Sequence, residues 1–221
     1  MNVAKDLKFW TDRTGHLVPV RMLHEFNSSC PLSEGFYGGP DYMRRFWRRW
    51  ATILKGGDVN GKLRAMGQPA LRTSQSVGRN DKLLLVWTIL AGATAETNWS
   101  DYWPGAKWVD ICGADMYPSP DDADRKGQFA VLNRLNDFAK SHGNKPLCFP
   151  EFNWAARSGI DRPGPTRELL EWIVRHAGRV RFTAQFESHK EFAVVRRGDP
   201  HPDLKKLYAN YYNKSAFGGD S

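Results

Sequence analysis

The chain has 221 residues, 41% of them hydrophobic, and carries 32 Lys and Arg against 24 Asp and Glu, a net charge of +8. That length supports one sizeable core and the composition is ordinary, which excludes disordered and collagen-like classes. No apolar run is long enough to cross a bilayer, and Met1 to Asp6 holds no apolar signal region.

The basic balance raises nucleic-acid binding as a function, yet none of the sequence signatures of nucleic-acid modules is present. The three cysteines, Cys30, Cys112 and Cys148, are too few and odd in number for a disulfide framework. Cys112 and Cys148 fall in strand-like runs, where a thiol behaves as a small hydrophobe.

Ala4 to His16 reads as a helix with Leu7, Phe9 and Trp10 on its buried side. Val18 to Leu23 reads as the first strand, breaking at His24 into the polar group His24-Glu25-Phe26-Asn27. Ser28 to Pro40 is rich in Gly, Ser and Pro and is predicted to be a loop over the mouth of a site. A helix rich in arginine then runs from Pro40 to about Leu54. Phe46 and Trp50 share a face with Met43 there, and the arginines spread around the rest, which predicts a solvated amphipathic helix. A basic surface of this kind leaves acidic glycans or an acidic partner open. Lys55 to Asn60 reads as a turn, and Gly61 to Asp81 as an irregular connection with a short helix.

Leu83 to Thr88 is continuously apolar, as in a parallel sheet covered on both faces. Thr94 to Lys107 reads as a loop with Trp99, Tyr102 and Trp103, and Trp108 to Asp115 as the third strand. Asp121 to His142 is a helix with Phe129, Leu132, Leu135 and Phe138 on one face, stopped by Gly143-Asn144. Pro146 to Phe152 is the fourth strand, Arg167 to Arg175 a helix, Val180 to Phe186 the fifth strand, and Leu204 to Tyr212 a closing helix. Strand and helix alternate, with long loops after the strands. The pattern is the repeated βα unit of a parallel α/β architecture, with five units against the eight of a full (β/α)8 barrel of about 250 residues.

Two of the predicted strands deliver a glutamate at their carboxyl end, Glu25 and Glu151. Parallel α/β folds keep their active sites at that end. Glycosidic cleavage needs two carboxyl groups with different duties, one to protonate the leaving oxygen and one to attack the anomeric carbon or activate a water. Each glutamate taken alone reads rather as a helix cap or an ion-pair partner. The shared placement, with a third polar strand end at Asp115-Met116-Tyr117, favours catalysis. The histidines at 16, 24, 142, 176, 189 and 201 show no His-x-x-x-His or His-Glu-x-x-His spacing, so neither metal nor other cofactor is predicted.

Arg21-Met22-Leu23-His24-Glu25-Phe26-Asn27 resembles the Arg-x-x-His-Glu-x-Asn segment of glycoside hydrolase family 26, the β-mannanase family of retaining (β/α)8 glycosidases. Tyr102-Trp103-Pro104-Gly105 through Trp108 to Tyr117 is similar to its Tyr-x-Pro-Gly and Val-Asp-x-x-Gly-x-Asp-x-Tyr segment. Lys145-Pro146 through Glu151-Phe152 is similar to its Lys-Pro and Glu-Phe/Gly segment. The segments occur in family order. The resemblance implies an α/β fold of the (β/α)8 TIM-barrel type, here barrel strands four to eight without the first three, as one domain over residues 1–221. It implies a retaining endo-acting hydrolase of a β-linked, mannan-like polysaccharide, or a carbohydrate-binding or structural module derived from one.

By the same resemblance Glu25 is the general acid/base and Glu151 the nucleophile. His24 contacts the sugar, Arg21 orients a carboxylate, Asn27 belongs to the same binding segment, Tyr117 hydrogen-bonds Glu151, and Asp115 supports that region. Trp103, Trp154 and Tyr37 are candidate stacking platforms for sugar rings. The partners implied are a poly- or oligosaccharide, with no nucleic acid and no membrane, and another chain or an upstream segment to complete the barrel. An extracellular or surface location follows from the resemblance alone.

Overall fold

The computed structural model describes residues 2–28, 39–72, 77–92, 97–153, 163–185 and 202–212. Cys30, Tyr37, Trp154 and Phe186, with most of the predicted loop after Ser28, lie outside the described residues. The elements run α1 (Asn2–Thr14), β1 (Val18–Arg21), α2 (Gly39–Lys55), α3 (Val59–Ala65), β2 (Leu83–Leu90), α4 (Trp99–Tyr102), a 3-10 turn (Ala106–Trp108), β3 (Ile111–Met116), α5 (Asp122–Ser141), β4 (Leu147–Phe152), α6 (Pro163–Arg175), β5 (Val180–Gln185) and α7 (Pro202–Tyr212). The five strands form one parallel sheet in the order β1-β2-β3-β4-β5. Sequence neighbours are therefore sheet neighbours, each reached through a helical connection, which is the connectivity of a (β/α) barrel. The chain folds into two compact units, Met1–Thr88 with Glu96–Cys112 and Ile89–Ala95 with Gly113–Ser221.

In the first unit, β1 pairs with β2 from Val18 opposite Leu83 to Arg21 opposite Val86. β2 buries Leu83, Leu85, Val86, Trp87 and Ile89, the signature of a strand covered on both faces. Helix α2 buries Met43, Trp47, Ala51 and Leu54, spaced by four, four and three residues along one helical stripe. Trp47 is 0% exposed, and its indole N–H donates to Trp108 O at 2.8 Å. Of the face predicted through Met43, Phe46 and Trp50, Met43 is buried, but the stripe continues through Trp47 and Ala51 instead of Phe46 and Trp50. Both of those rings are half-buried at its flank, each within 6.1 Å of the next aromatic in the row Tyr42, Phe46, Trp50.

The predicted inner face of α1 is also corrected. Phe9 and Trp10 are each 60% exposed, while Ala4 and Thr11 are buried. Two small residues seven apart let the helix approach closely, and Thr11 Oγ1 lies within bonding reach of Lys8 O and Asn80 Oδ1. Helix α3 begins inside the predicted turn because Asp58 caps it, accepting from Gly61 N at 2.9 Å. Strand β3 starts three residues late because Ala106–Trp108 winds into a 3-10 turn. Asp110 then accepts from Leu85 N at 2.7 Å and pairs with Lys55 at 2.8 Å. The first aspartate of the family-like segment is thus a structural tie to β2.

All six residues of β3 are buried, of which Gly113 to Met116 belong to the second unit. A Cβ on Gly113 would stand 3.0 Å from Cys148 Sγ and 3.1 Å from Pro150 Cγ, so any larger residue there would press these β4 side chains back by a few tenths of an ångström. Helix α5 is capped by Asp121, which accepts from Ala123 N and Asp124 N. It buries Leu132 and Leu135 as predicted, while Phe129 and Phe138 are half-buried and Asn136 and Ala139 complete the stripe. Helix α6 starts at Pro163, four residues before the predicted start.

Strands β4 and β5 pair from Leu147 opposite Val180, with register shifts after Leu147 and between Phe149 and Phe152. Phe149 meets Trp172 of α6, and Phe152, an odd number of residues away, meets Tyr208 of α7. A regular strand would send these two rings to opposite faces. The irregularity falls at Pro150, which has no N–H to give the ladder, and it turns both rings onto helices.

Candidate functional site

Strand β1 ends at Arg21, two residues before the predicted end, and the chain then turns. Leu23 and Glu25 both adopt left-handed backbone, with φ of 48° and 52°. Each such non-glycine residue costs on the order of 1–2 kcal/mol. The cost is offset by packing: Phe26 is buried with its ring 4.7 Å from Trp87 and 5.0 Å from Tyr102. Ser28 N donates to Glu25 O at 2.9 Å and closes the turn. Its result is to bury Asn27 and Ser28, leave Arg21 and Glu25 half-buried, and expose His24. The strand is therefore broken before His24, and neighbouring His24 and Glu25 lie in a turn rather than on opposite faces of a strand. Trp103 is 9% exposed and stands edge-on to Trp87 at 5.2 Å, so it closes the same aromatic cluster.

In the second unit, Asp115 lies one residue from the carboxyl end of β3 and is 0% exposed. Glu151, on β4, is half-buried, and Tyr117 Oη donates to its Oε2 at 2.8 Å. Asp115 and Glu151 hold carboxylate oxygens within 4.8 Å of each other. Two acids and a phenol thus meet at adjacent strand ends, with Glu151 half open to solvent. The phenol fixes one carboxylate oxygen of Glu151. Beside them, Asn153 is fully buried and accepts from Tyr208 Oη at 3.1 Å, which ties the end of β4 to α7.

Sequence reading missed one residue that shapes this group. Gln128, on the second turn of α5, donates to Tyr117 O at 3.0 Å and accepts from Ser119 N at 2.8 Å. It clamps the loop that carries the phenol. A lone glutamine on an otherwise solvated helix turn gives no signal in sequence that it reaches back eleven residues. Trp154, predicted as a stacking platform, lies outside the described residues.

This architecture defines the class first: an α/β chain of the (β/α)8-barrel type, comprising five βα units, with acids at its strand ends. The sequence model of glycosyl hydrolase family 26 matches residues 71–143. The chain superposes on an endo-β-1,4-mannanase from Cellulomonas fimi with a TM-score of 0.65 and 20% identity, covering 99% of this chain and 47% of that one. A GH26 protein from a Muricauda species gives a TM-score of 0.65 at 17% identity, with coverages of 97% and 55%. The catalytic domain of a Bacillus family 26 endo-β-1,4-mannanase gives 0.62 at 15% identity, with coverages of 99% and 57%. The chain spans about half the length of these structures. No curated protein sequence matches it. The particular family that the chain resembles, in sequence segments and in fold, is glycoside hydrolase family 26.

Proposed function

We propose that the chain is the strand-four-to-eight portion of a retaining endo-glycoside hydrolase acting on a β-linked, mannan-like polysaccharide, as one catalytic domain. The observation that carries this reading is the Tyr117–Glu151 hydrogen bond at the end of β4, beside buried Asp115. A nucleophilic carboxylate must be aimed at one carbon and kept half open to substrate, and a phenol donor achieves both.

On this reading Glu151 attacks the anomeric carbon while Glu25 gives its proton to the leaving oxygen. The glycosidic bond breaks and a glycosyl ester forms on Glu151. Glu25, now a carboxylate, takes a proton from water, whose oxygen displaces Glu151 and restores both acids. His24, exposed beside Glu25, contacts the sugar, Arg21 orients a carboxylate, and Asn27, Asp115, Trp103 and Trp154 shape the binding region. Another chain or an upstream segment completes the barrel, and Val3, Phe9 and Trp10, which α1 leaves exposed, become covered when it does.

The test is reducing-sugar release from β-mannan, β-glucan and xylan, by the chain alone and with the complementary barrel units supplied. Glu151→Gln should lower the rate at least roughly a thousandfold, as loss of a nucleophile does, while glycan binding persists. Products should first appear as the β-anomer. Release of no sugar from any of these substrates under both conditions sinks the hydrolase reading. Glycan binding indifferent to Glu25→Gln would then favour the alternative, a non-catalytic carbohydrate-binding module derived from a hydrolase.

A further inference from the structure

Helix α2 carries four arginines, Arg44, Arg45, Arg48 and Arg49, and they divide by what they hold. Arg44 bonds Asp41 and also donates to Asp101 O at 2.6 Å, and Arg48 Nε donates to Pro104 O at 2.8 Å. Both tie the helix to the segment that follows β2. Arg45 and Arg49 instead line a cleft of about 430 Å³ with Tyr42, Phe46, Gln68 and Pro69. Positions 42, 45, 46 and 49 fall on one face by helical spacing.

Within this cleft Arg49 gives one N–H to Pro69 O at 2.6 Å. The Arg45 guanidinium is exposed and has no partner among the described residues. Tyr42 is 51% exposed and stacked on Phe46 at 6.1 Å, an apolar ring face held ready on the rim. Gln68 Nε2 donates to Arg45 O at 3.0 Å, which fixes which way the amide points. Its Oε1 is thereby left buried with no donor among the described residues, an arrangement that favours any ligand able to supply one.

These groups make three demands at once. Two cations one helical turn apart repel each other and favour an anion between them. A presented tyrosine face favours a ring with an apolar side. An acceptor short of a donor favours hydroxyl groups. We propose that this cleft binds an acidic sugar: a ring of a polysaccharide bearing a carboxylate or sulfate that pairs with Arg45 and Arg49, its flat face on Tyr42 and a hydroxyl toward Gln68. A free inorganic anion would use only the arginines. A single-stranded nucleic acid needs a charged groove that follows several phosphates, whereas this cleft of about 430 Å³ offers two arginines on one helical turn. The site is independent of the hydrolase reading, since none of its residues serves there.

The test is titration calorimetry of the whole chain at low, fixed salt. The probes are an oligogalacturonate, a sulfated oligosaccharide of equal length, a neutral manno-oligosaccharide and an oligothymidylate of matched charge. At least one acidic sugar should bind about tenfold or more tightly than the neutral one, and the carboxylated and sulfated probes tell the two anions apart. Arg45→Gln should weaken that binding about tenfold or more, the usual effect of losing a charged hydrogen bond. Arg45→Lys should retain part of it, and Glu151→Gln should leave it unchanged. Arg45 is exposed, so an unaltered thermal midpoint will show that the variant is folded. Acidic sugars bound no better than neutral ones overturn the proposal, as does affinity that Arg45→Gln leaves intact. Oligothymidylate preferred over both acidic sugars, and lost in the same variant, overturns it in favour of nucleic acid.

Discussion

Tyr117 is the residue whose chemistry is most sharply constrained by its surroundings. Its hydroxyl donates to Glu151 and its carbonyl is held by Gln128, so aim and anchorage run through a single residue. A hydrogen bond to a charged acceptor contributes about 1.5–3 kcal/mol. On the proposed hydrolase reading, Tyr117→Phe should therefore lower kcat roughly 10- to 100-fold while KM moves little, because the phenol's part there is to aim the nucleophile rather than to bind the sugar. A kcat that stays within twofold in single-turnover kinetics would show that the contact is only structural. The strand-end positions of Glu151, Tyr117 and Asp115 were legible in the sequence, since each follows an apolar run. Gln128 was not, because its role depends on a fold-back that no local pattern encodes. Neither were the left-handed backbones at Leu23 and Glu25, where long side chains take a conformation that glycine or asparagine would normally advertise.

At the scale of the element, β3 and β4 show how closely the sheet is fitted around its acids. Gly113 on β3 faces Cys148 and Pro150 on β4 so closely that a methyl group would fit only if they gave way by a few tenths of an ångström. Gly113→Ala should cost about 1–3 kcal/mol, the usual range for overpacking, measured as a shift in urea midpoint at constant slope. Adding Cys148→Ala should recover part of the loss, because the nearest obstruction is that sulfur. The five strands could be read from their continuous apolar runs. The faces of the helices were harder. Apolar periodicity began the stripe on α2 at Met43 but continued it through Phe46 and Trp50, since Met43-Trp47-Ala51 and Phe46-Trp50 fit a helical repeat equally well. What separates them is the indole bond to Trp108 O, a long-range contact. On α1 the bulky rings were assigned inward by size, yet the interface is built from Ala4 and Thr11. Pattern alone cannot tell which side of a helix has a neighbour.

For the molecule as a whole, the parallel sheet was foreseen from the alternation of strand and helix, and its sequential order β1 to β5 is the one the family resemblance implies. The parallel α/β class follows from that alternation and the barrel type from the resemblance, whereas the division into two compact units depends on contact density and leaves no mark on composition. One feature of the sheet has a practical reach. Cys112 and Cys148 are reduced and buried in β3 and β4, the strands that carry Asp115 and Glu151. In a Cys30→Ser background, a thiol-reactive dye becomes a stopwatch for the opening of these strands. Labelling should proceed only as fast as the strands part, and an oligosaccharide seated there at ten times its Kd should slow it about tenfold. Dye uptake as fast as that of a free thiol would mean that these strands open readily even in the folded protein.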